Sequence, residues 1–227
     1  MTLNLTKLGL KQVINASGKM TILGVSKVSE GVLTAQRFGG EHFFEMSELA
    51  VKTGAYLAKL LQVEDAQIVS SASAGIAQSV AAVIGQGSSF HLYHPYSEKI
   101  QRREIILPKG HNVDYGTPVE VMVQQGGGQV VEAGYANMCS VDHIAQMISP
   151  QTAAILYIKS HHTVQKSMLS VKETAQVAKQ SGIPLIVDAA AEEDLFRYIQ
   201  EGADLVIYSG AKALSGPSAG LVIGRKE

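Results

Sequence analysis

Asp188 and Lys212 are two residues of this chain whose types and setting could do chemistry together. Asp188 ends the apolar run 184–187, and Lys212 follows the apolar run 205–208 after Ser-Gly-Ala. The stretch 192–201 between the two runs has a helical pattern. A strand, a helix and a second strand of these lengths predict a βαβ unit, in which both strands are parallel within one sheet. If the strands are neighbours, their carboxyl ends lie about 5 Å apart, so a carboxylate and an amine share one edge of the sheet.

A carboxylate beside an amine at such an edge is the pair that a pyridoxal 5'-phosphate (PLP) site requires. The lysine amine binds the cofactor aldehyde as a Schiff base, and the carboxylate keeps the pyridine nitrogen protonated so that the ring acts as an electron sink. Ligands of open α/β sheets also bind outside the carboxyl ends of the strands. The ordinary alternative is a helix-capping Asp188 and a solvated loop lysine at 212. The small residues around Lys212, from Ser209 to the later Gly-Pro pair, favour the cofactor site.

Three polar loops follow other predicted strands and could reach the same edge. Residues 71–75 read Ser-Ala-Ser-Ala-Gly before a helical stretch, so they could bind a phosphate through backbone N–H groups or serve as a plain N-cap. His111 follows the run 105–108 and could stack on a flat heteroaromatic ring, or make a local hydrogen bond as a loop histidine. His161 and His162 point in opposite directions on an extended chain, and no carboxylate or cysteine accompanies them at zinc spacing. We therefore expect one of these two histidines to face the site and no metal to be bound.

Alternating strand-like and helical runs predict an α/β fold. A strand followed by a helix, repeated with connections of a few residues, is typical of a mostly parallel sheet covered by helices on both faces. Residues 1–40 are expected to be irregular, apart from a short strand-like run at 8–15, and a capping box at Ser170 and Glu173 opens one helix. The predicted strands are 67–70, 105–108, 130–131, 153–158, 184–187, 205–208 and 219–224, and the predicted helices are 41–61, 76–84, 117–125, 141–148, 170–179 and 192–201.

Composition narrows the class of protein. The 227 residues are enough for one large α/β domain, and the net charge of −1 gives no electrostatic argument for binding nucleic acid or an anionic membrane. The single cysteine, Cys139, excludes an intrachain disulfide framework and fits a reducing cytosol. No signal peptide and no apolar run of transmembrane length occurs, so we expect a cytoplasmic protein. The dinucleotide and P-loop fingerprints are absent, which disfavours a nucleotide site.

Two stretches carry a resemblance to a known family. Residues 209–220, Ser-Gly-Ala-Lys-Ala-Leu-Ser-Gly-Pro-Ser-Ala-Gly, are similar to the lysine segment of the selenocysteine synthase-like branch of fold-type I PLP-dependent enzymes. Residues 8–24, Leu-Gly-Leu-Lys-Gln-Val-Ile-Asn-Ala-Ser-Gly-Lys-Met-Thr-Ile-Leu-Gly, closely resemble the opening of the D-glucosaminate-6-phosphate ammonia-lyases. The resemblance covers nearly the whole chain. It implies the aspartate aminotransferase-like large domain of the PLP-transferases, with pyridoxal 5'-phosphate as cofactor.

The resemblance also implies roles for individual residues. Lys212 would be the Schiff-base lysine, and Asp188 would pair with the pyridinium nitrogen. Ala190 would pack under the ring, and His111 would stack on it. The residues implied in binding the cofactor phosphate are Ser73, Ala74 and Gly75, with Ser209 assisting. The residues implied at the substrate entrance are Asn15, Ser17 and Gly18, to which the strand-end position of His161 adds a fourth.

The resemblance implies a division into domains as well. Residues 1–40 would line the active-site entrance, residues 41–227 would form the PLP-binding large domain, and a small C-terminal domain would follow. The run 219–224 is typical of a buried strand, and a compact domain rarely ends directly after a core strand because nothing then covers it. We therefore expect that this sequence lacks a C-terminal portion. Such enzymes are usually homodimers or higher homo-oligomers with active sites at the interface.

The activity implied by the resemblance is that of a carbon–nitrogen lyase in amino sugar acid catabolism. A PLP-dependent ammonia-lyase would eliminate water and then ammonia from a phosphorylated 2-amino sugar acid such as D-glucosaminate 6-phosphate, giving a 2-keto-3-deoxy acid phosphate. One alternative is a selenium transferase acting on seryl-tRNA, which the near-neutral charge disfavours. Another is a catalytically silent binding protein, which the presence of Asp188 and Lys212 disfavours. The fold alone does not decide among these functions.

Overall fold

The core of the molecule is one seven-stranded sheet in a computed structural model that describes residues 4–226. Its strands are β1 (Asp65–Val69), β2 (Glu104–Pro108), β3 (Gln129–Ala133), β4 (Thr152–Ile158), β5 (Leu185–Asp188), β6 (Leu205–Ser209) and β7 (Gly220–Gly224). Their order is β1-β7-β6-β5-β4-β2-β3. Six of these described strands run in the same direction and β7 runs opposite to them, so the mostly parallel sheet is confirmed. The outer ends of the two predicted domain ranges, residues 1–3 and 227, lie outside the described residues.

Eight α-helices accompany the sheet within the described part of the chain. They are α1 (Glu30–Glu41), α2 (Met46–Leu61), α3 (Ala72–Gly85), α4 (Ser89–Tyr93), α5 (Val119–Gln125), α6 (Val141–Met147), α7 (Val171–Ser181) and α8 (Arg197–Gln200). The predicted capping box of α7 is confirmed, since the Ser170 hydroxyl accepts the Glu173 N–H and the Glu173 carboxylate accepts the Ser170 N–H. Between residues 4 and 226 no helix is both long and apolar enough to cross a membrane.

The central strands are buried on both faces. Every residue of β4 and β5 is buried, which explains why both strands read as continuous apolar runs. Successive side chains still point to opposite faces, so Ile155 packs into one hydrophobic cluster and Leu156 into the other. Residues of α2, α6, α7 and α8 complete the first cluster, and residues of α3 and α5 complete the second. The prediction of helices on both faces is therefore confirmed.

Two expectations for the N-terminal region are wrong. The sequence predicts irregular structure through residue 40, but α1 begins at Glu30 after the N-cap Ser29, whose hydroxyl accepts the Val32 N–H at 3.4 Å. Glycines inside α1 and the lack of any buried face hide the helical pattern. The run 8–15 forms no strand, because no described strand lies beside it to complete a backbone ladder.

The helix predicted over 192–201 is also much shorter than expected. α8 begins only at Arg197, because the Asp194 carboxylate accepts hydrogen bonds from the N–H groups of Phe196 at 3.0 Å and Arg197 at 3.1 Å. An aspartate that bonds its own following backbone favours a turn over a helix. The βαβ unit is therefore a strand, a mostly irregular crossover and a strand.

The strand β7 passes close to the N-terminus of α3. A Cβ atom built on Gly220 would lie 2.5 Å from the carbonyl carbon and oxygen of Ser71, and one built on Gly75 would lie 2.8 Å from Ile207 Cγ2. Because side chains cannot approach so closely, these two glycines let α3 pack against β6 and β7. Gly220 is also the register partner of Ser209, so the start of α3 comes to the edge where β6 ends.

We predict that Gly220→Ala lowers the free energy of unfolding by about 1–3 kcal/mol, because the added methyl group collides with the Ser71 backbone. The matched control is Gly39→Ala in α1, where nothing lies within 4 Å of the new Cβ and alanine favours the helix. This control should leave stability unchanged or raise it by up to about 1 kcal/mol. Urea denaturation of the three proteins measures both effects, and equal midpoints for Gly220→Ala and the wild type would contradict the contact.

Candidate active site

The strands that carry Asp188 and Lys212 are direct neighbours. β5 and β6 pair in parallel, with Asp188 opposite Ile207, so the predicted adjacency is confirmed. The Ala189 N–H donates to the Ile207 carbonyl at 2.9 Å and continues the pairing past the end of β5. Both side chains line one cavity of about 320 Å³ at the carboxyl edge of the sheet.

Asp188 holds a carboxylate in a buried position with one donor on each oxygen. The residue is only 4 % exposed; Oδ1 accepts the Ala190 N–H at 3.1 Å and Oδ2 accepts the Tyr115 hydroxyl at 3.4 Å. Burial raises the pKa of Asp188 to about 6, while the Ala190 N–H, the Lys212 charge and the Tyr115 hydroxyl oppose that rise. The carboxylate of Asp188 is thus already removed from water, which is unfavourable for its charged form, so it favours a cationic or N–H partner.

Lys212 lies on a loop that folds back over the end of β6. The Ser209 hydroxyl accepts the Lys212 N–H at 3.3 Å, and the Gly216 N–H donates to the Gly210 carbonyl at 2.8 Å. Ser26 fastens the loop from outside, since its hydroxyl donates to the Ala211 carbonyl at 2.7 Å. These bonds hold the half-buried lysine beside the cavity.

The cavity combines small residues with four basic side chains. Asp188 is its one acidic side chain among the described residues, against Lys159, Lys212, His161 and His162. The remaining lining residues are Thr21, Val25, Ser71, Ala72, Ser73, Ile76, Tyr115, Gly116, Thr117, Ser160, Ala190, Ala191, Ser209, Ala211, Ser218 and Ala219. Because its two lysines outnumber its one carboxylate, the cavity suits an anionic ligand.

The start of α3 meets the cavity two residues earlier in the chain than expected. Ser73 lines the cavity, but Ala74 and Gly75 do not. Their N–H groups are engaged within the helix start, because Ala74 donates to the Ser71 hydroxyl at 3.0 Å and Gly75 to the Ser71 carbonyl at 2.9 Å. The first-turn residues that face the cavity are Ser71, Ala72 and Ser73. The N–H groups and the dipole at a helix N-terminus favour an anion. The start of α3 is therefore placed where the phosphate prediction requires it, but of the three predicted residues only Ser73 lines the cavity.

His111 does not line the cavity. Its side chain is fully buried, its ring lies edge-on to Tyr157 at 4.5 Å, and both ring nitrogens are bonded. Nε2 donates to the Val164 carbonyl at 3.1 Å and Nδ1 accepts the Ile158 N–H at 3.4 Å. Burial lowers the pKa of His111 to about 4, so the imidazole is neutral at pH 7. In this arrangement His111 connects its own loop to the end of β4 and to the loop at Val164, and its stacking on a cofactor ring stays a prediction.

Of the four predicted substrate residues, one lines the cavity and three do not. Asn15 bonds the backbone of Ser17 at 2.9 Å and of Gly18 at 2.7 Å in a local exposed turn that does not reach the cavity. The part of that segment that does line the cavity is Thr21 with Val25. His161 lines it as predicted, stacked on His162 with ring centroids 4.0 Å apart.

Tyr115, Lys159 and His162 line the cavity but were not among the predicted site residues. A signal for Lys159 exists in the sequence, because it follows an apolar strand as Asp188 does. The expectation that His161 and His162 point in opposite directions, with one facing the site, is wrong, because the two residues lie in a turn and both line the cavity. Tyr115 lies in a loop four residues after His111, where no periodicity indicates which side chain points inward.

The family profile of L-seryl-tRNA selenium transferase matches residues 53–227 of this chain. The chain belongs to that family. Its sheet and helices are those of the fold-type I PLP-dependent enzymes, and a solved structure of D-glucosaminate-6-phosphate ammonia-lyase superimposes with a TM-score of 0.95. That structure is 48% identical, and the match covers 100% of this chain and 62% of the other.

Two curated relatives show how similar the sequences are. The D-glucosaminate-6-phosphate ammonia lyase of Salmonella typhimurium (strain 14028s / SGSC 2262) is 48% identical over 220 residues, covering 97% of this chain and 60% of the relative. The 5'-C-glycyluridine monooxygenase-decarboxylase of a Streptomyces species is 36% identical over 226 residues, covering 99% of this chain and 57% of the relative. The chain thus spans about 60% of the length of these relatives.

We predict that Asp188→Asn stabilises the ligand-free protein at pH 8. The folded pKa of Asp188, about 6, lies above the ordinary 3.8, so the folded state holds the proton more tightly than the unfolded state does. The contribution of this group to stability therefore falls as the pH rises from about 4 to about 6 and stays low above that window. The amide keeps the acceptor for Ala190 and carries no charge, so the gain at pH 8 should be on the order of 1–3 kcal/mol.

Urea denaturation at pH 4.5 and pH 8 measures this difference, which should shrink at the lower pH. The control is Asp114→Asn, an exposed side chain that bonds the Gly116 N–H at 2.8 Å in a surface turn and should show no gain at pH 8. A variant no more stable than the wild type at pH 8 would show that the buried carboxylate is not destabilising.

Proposed function

We propose that this protein is a PLP-dependent ammonia-lyase acting on a phosphorylated 2-amino sugar acid such as D-glucosaminate 6-phosphate. Elimination of water, followed by hydrolytic release of ammonia, leaves a 2-keto-3-deoxy acid phosphate. The observation that carries the proposal is the shared cavity of Asp188 and Lys212 at the ends of neighbouring strands. The 48% identity and TM-score of 0.95 to the ammonia-lyase structure support the choice of reaction.

The donor set of the cavity fits pyridoxal 5'-phosphate. The amine of Lys212 would bind the aldehyde, the carboxylate of Asp188 would accept the pyridinium N–H, and Ala190 would lie beneath the ring. The start of α3 at Ser73 and the hydroxyl of Ser209 would hold the phosphate. When bound, the cofactor supplies an electron sink for the electron pair left at the substrate Cα.

Lys212 would also move the proton of the reaction. Its amine, placed by the Ser209 loop beside the cavity, would take the Cα proton as general base. Asp188 would stay ionised opposite the cationic ring, because each of its oxygens already accepts a hydrogen bond. The two residues would therefore have separate roles: Lys212 would accept the Cα proton, and Asp188 would stabilise the positive charge of the ring.

The other basic residues of the cavity would bind the anionic substrate. Lys159 adds positive charge on the side where β4 ends, and His161 and His162 add imidazole nitrogens that can form hydrogen bonds. A sugar acid phosphate carries a carboxylate and a phosphate, so it has two groups that these side chains can pair with. Thr21 and Val25 would close the N-terminal side of the cavity in place of Asn15 and its neighbours.

The wider organisation follows from the same proposal. Residues 1–40 would line the entrance, residues 41–227 would form the PLP-binding domain, and a C-terminal domain would complete the site. A homodimer or higher homo-oligomer in the cytoplasm is the expected setting. Exposed apolar side chains of the N-terminal region support the oligomer, because Ile14, Ile22 and Phe43 are 91%, 87% and 106% exposed.

A second candidate is selenium transfer to seryl-tRNA, the reaction in the name of the matching family. It would require a basic surface for tRNA, and the net charge of −1 counts against one. A salt-sensitive complex with tRNA at physiological ionic strength would favour this reaction over the elimination.

We predict that Lys212→Ala lowers ammonia release from D-glucosaminate 6-phosphate by at least about 100-fold, because the general base is lost. The variant should also lose the yellow absorbance band of lysine-bound pyridoxal 5'-phosphate. The control is Lys179→Ala at the end of α7, outside the cavity, which should keep both signals. A coupled ammonia assay and an absorbance spectrum test the pair, and full activity with a normal spectrum for Lys212→Ala would refute the proposal.

We predict a native mass of at least twice the 24.1 kDa of one chain. Phe43→Ser or Ile22→Ser should shift the protein towards the monomer, because each removes an exposed apolar side chain from the expected interface. Leu92→Ser on α4 is the control, since it removes an exposed leucine from another region and should leave the mass unchanged. Size-exclusion chromatography with light scattering gives the masses, and a monomeric wild type would contradict the oligomer.

A further inference from the structure

Tyr115 lines the cavity and contacts Asp188, but it has no role in the proposed reaction. Its ring forms part of the cavity wall, and its hydroxyl donates to Asp188 Oδ2 at 3.4 Å. The neighbouring residues Asp114, Gly116 and Thr117 are exposed, whereas Tyr115 is turned inward. A surface loop with one inward phenol aimed at a buried carboxylate is an arrangement that the packing alone does not require.

The loop that carries Tyr115 has a defined conformation. Asp114 Oδ1 accepts the Gly116 N–H at 2.8 Å, and Gly116 has a φ of +106°, which glycine adopts without strain. Asp114 and Pro118 form an isolated antiparallel bridge, and the Val119 N–H donates to the Val113 carbonyl at 3.1 Å at the start of α5. The inward position of Tyr115 is therefore fixed by its own loop before any ligand binds.

The ring of Tyr115 packs against the hydrophobic cluster formed by α3, α5 and one face of the sheet. Burial, together with the Asp188 charge, raises the pKa of the Tyr115 phenol well above its usual range, so the hydroxyl stays protonated and acts as a donor. Met122 Sδ lies 3.9 Å from the hydroxyl, but the carboxylate at 3.4 Å is nearer and, being charged, is the stronger acceptor. Asp188 then has a fixed donor on each oxygen: the Ala190 N–H on Oδ1 and the phenol on Oδ2. A carboxylate oxygen has two acceptor sites, so one remains on each for a further N–H donor.

We propose that Tyr115 is a positioning residue that holds the Asp188 carboxylate in the orientation in which it accepts the N–H of a pyridinium ring. This inference rests on the proposed function, because it assigns the partner of Asp188. The phenol acts through Asp188, and it takes no part in moving the substrate proton. His111, to which ring stacking was assigned from the resemblance, has no access to this carboxylate from its buried position.

The test uses cofactor affinity in four versions of the whole chain: wild type, Tyr115→Phe, Asp188→Asn and the double variant. Pyridoxal 5'-phosphate is titrated into cofactor-free protein and its binding is followed by visible circular dichroism. Tyr115→Phe should weaken binding roughly tenfold, because a hydrogen bond to a charged group is lost. In the Asp188→Asn background the same substitution should change affinity by no more than about twofold, since its effect passes through Asp188.

Two controls separate positioning from packing. Tyr208→Phe removes another buried tyrosine hydroxyl, bonded to the Asp194 carbonyl at 3.1 Å on the opposite face of the sheet, and should leave cofactor affinity unchanged. Tyr115→Leu removes the ring as well. If Tyr115→Phe binds like the wild type and only Tyr115→Leu is weakened, the side chain packs but does not position Asp188, and the inference is wrong.

The remaining outcomes are also decisive. An equal loss for Tyr115→Phe in the wild-type and Asp188→Asn backgrounds would mean that the hydroxyl acts independently of Asp188. A thermal midpoint of cofactor-free Tyr115→Phe that falls below that of Tyr208→Phe would assign the hydroxyl to the fold. A wild type that binds no pyridoxal 5'-phosphate would overturn the proposed function together with this inference, whereas binding without sensitivity at Tyr115 would overturn the inference alone.

Discussion

The buried carboxylate of Asp188 is the constraint on which the site depends. An ionised group that is only 4 % exposed is unfavourable unless donors and positive charge surround it. The protein supplies the Ala190 N–H, the Tyr115 hydroxyl and the charge of Lys212, which together oppose the rise in pKa without abolishing it. Because the ionised carboxylate of Asp188 is still unfavourable after these contacts, a ligand that brings a further N–H or positive charge would be favoured. The same buried carboxylate that would attract such a ligand therefore lowers the stability of the ligand-free protein.

The geometry around that carboxylate is produced by close packing of backbone on backbone. Gly220 lets β7 pass the Ser71 carbonyl, and Gly75 lets α3 lie against the side chain of Ile207. Both contacts bring the open end of α3 to the strand that leads to Lys212. The N-terminus of α3 and the lysine loop are thus placed by two glycines that do not themselves line the cavity.

The N-terminal region differs from the sheet in how much of it is buried. The residues of β4 and β5 are buried throughout, whereas α1 has no buried residue, and the segment before it is fastened to the lysine loop by Ser26. The segment contributes Thr21 and Val25 to the cavity while leaving large apolar side chains in solvent. The proposed catalytic groups therefore lie at or just beyond the carboxyl ends of buried strands, and the surfaces that would select a substrate or a partner lie on exposed loops, a division that lets one fold serve related reactions.

The sequence by itself determined the sheet class, most strand positions, the capping box of α7 and the location of Asp188 and Lys212 at one edge of the sheet. These features are local, because an apolar run that stops at a polar residue marks both the strand and its carboxyl end. The tertiary structure decided which loop side chains face the cavity. His111 is drawn inward by Val164 and Ile158, about fifty residues away in sequence, while Tyr115 reaches Asp188 across the sheet. Hydrogen bonds between such distant segments leave no periodic pattern in the sequence, so only the folded chain shows that Tyr115 contacts the carboxylate and that His111 does not line the cavity.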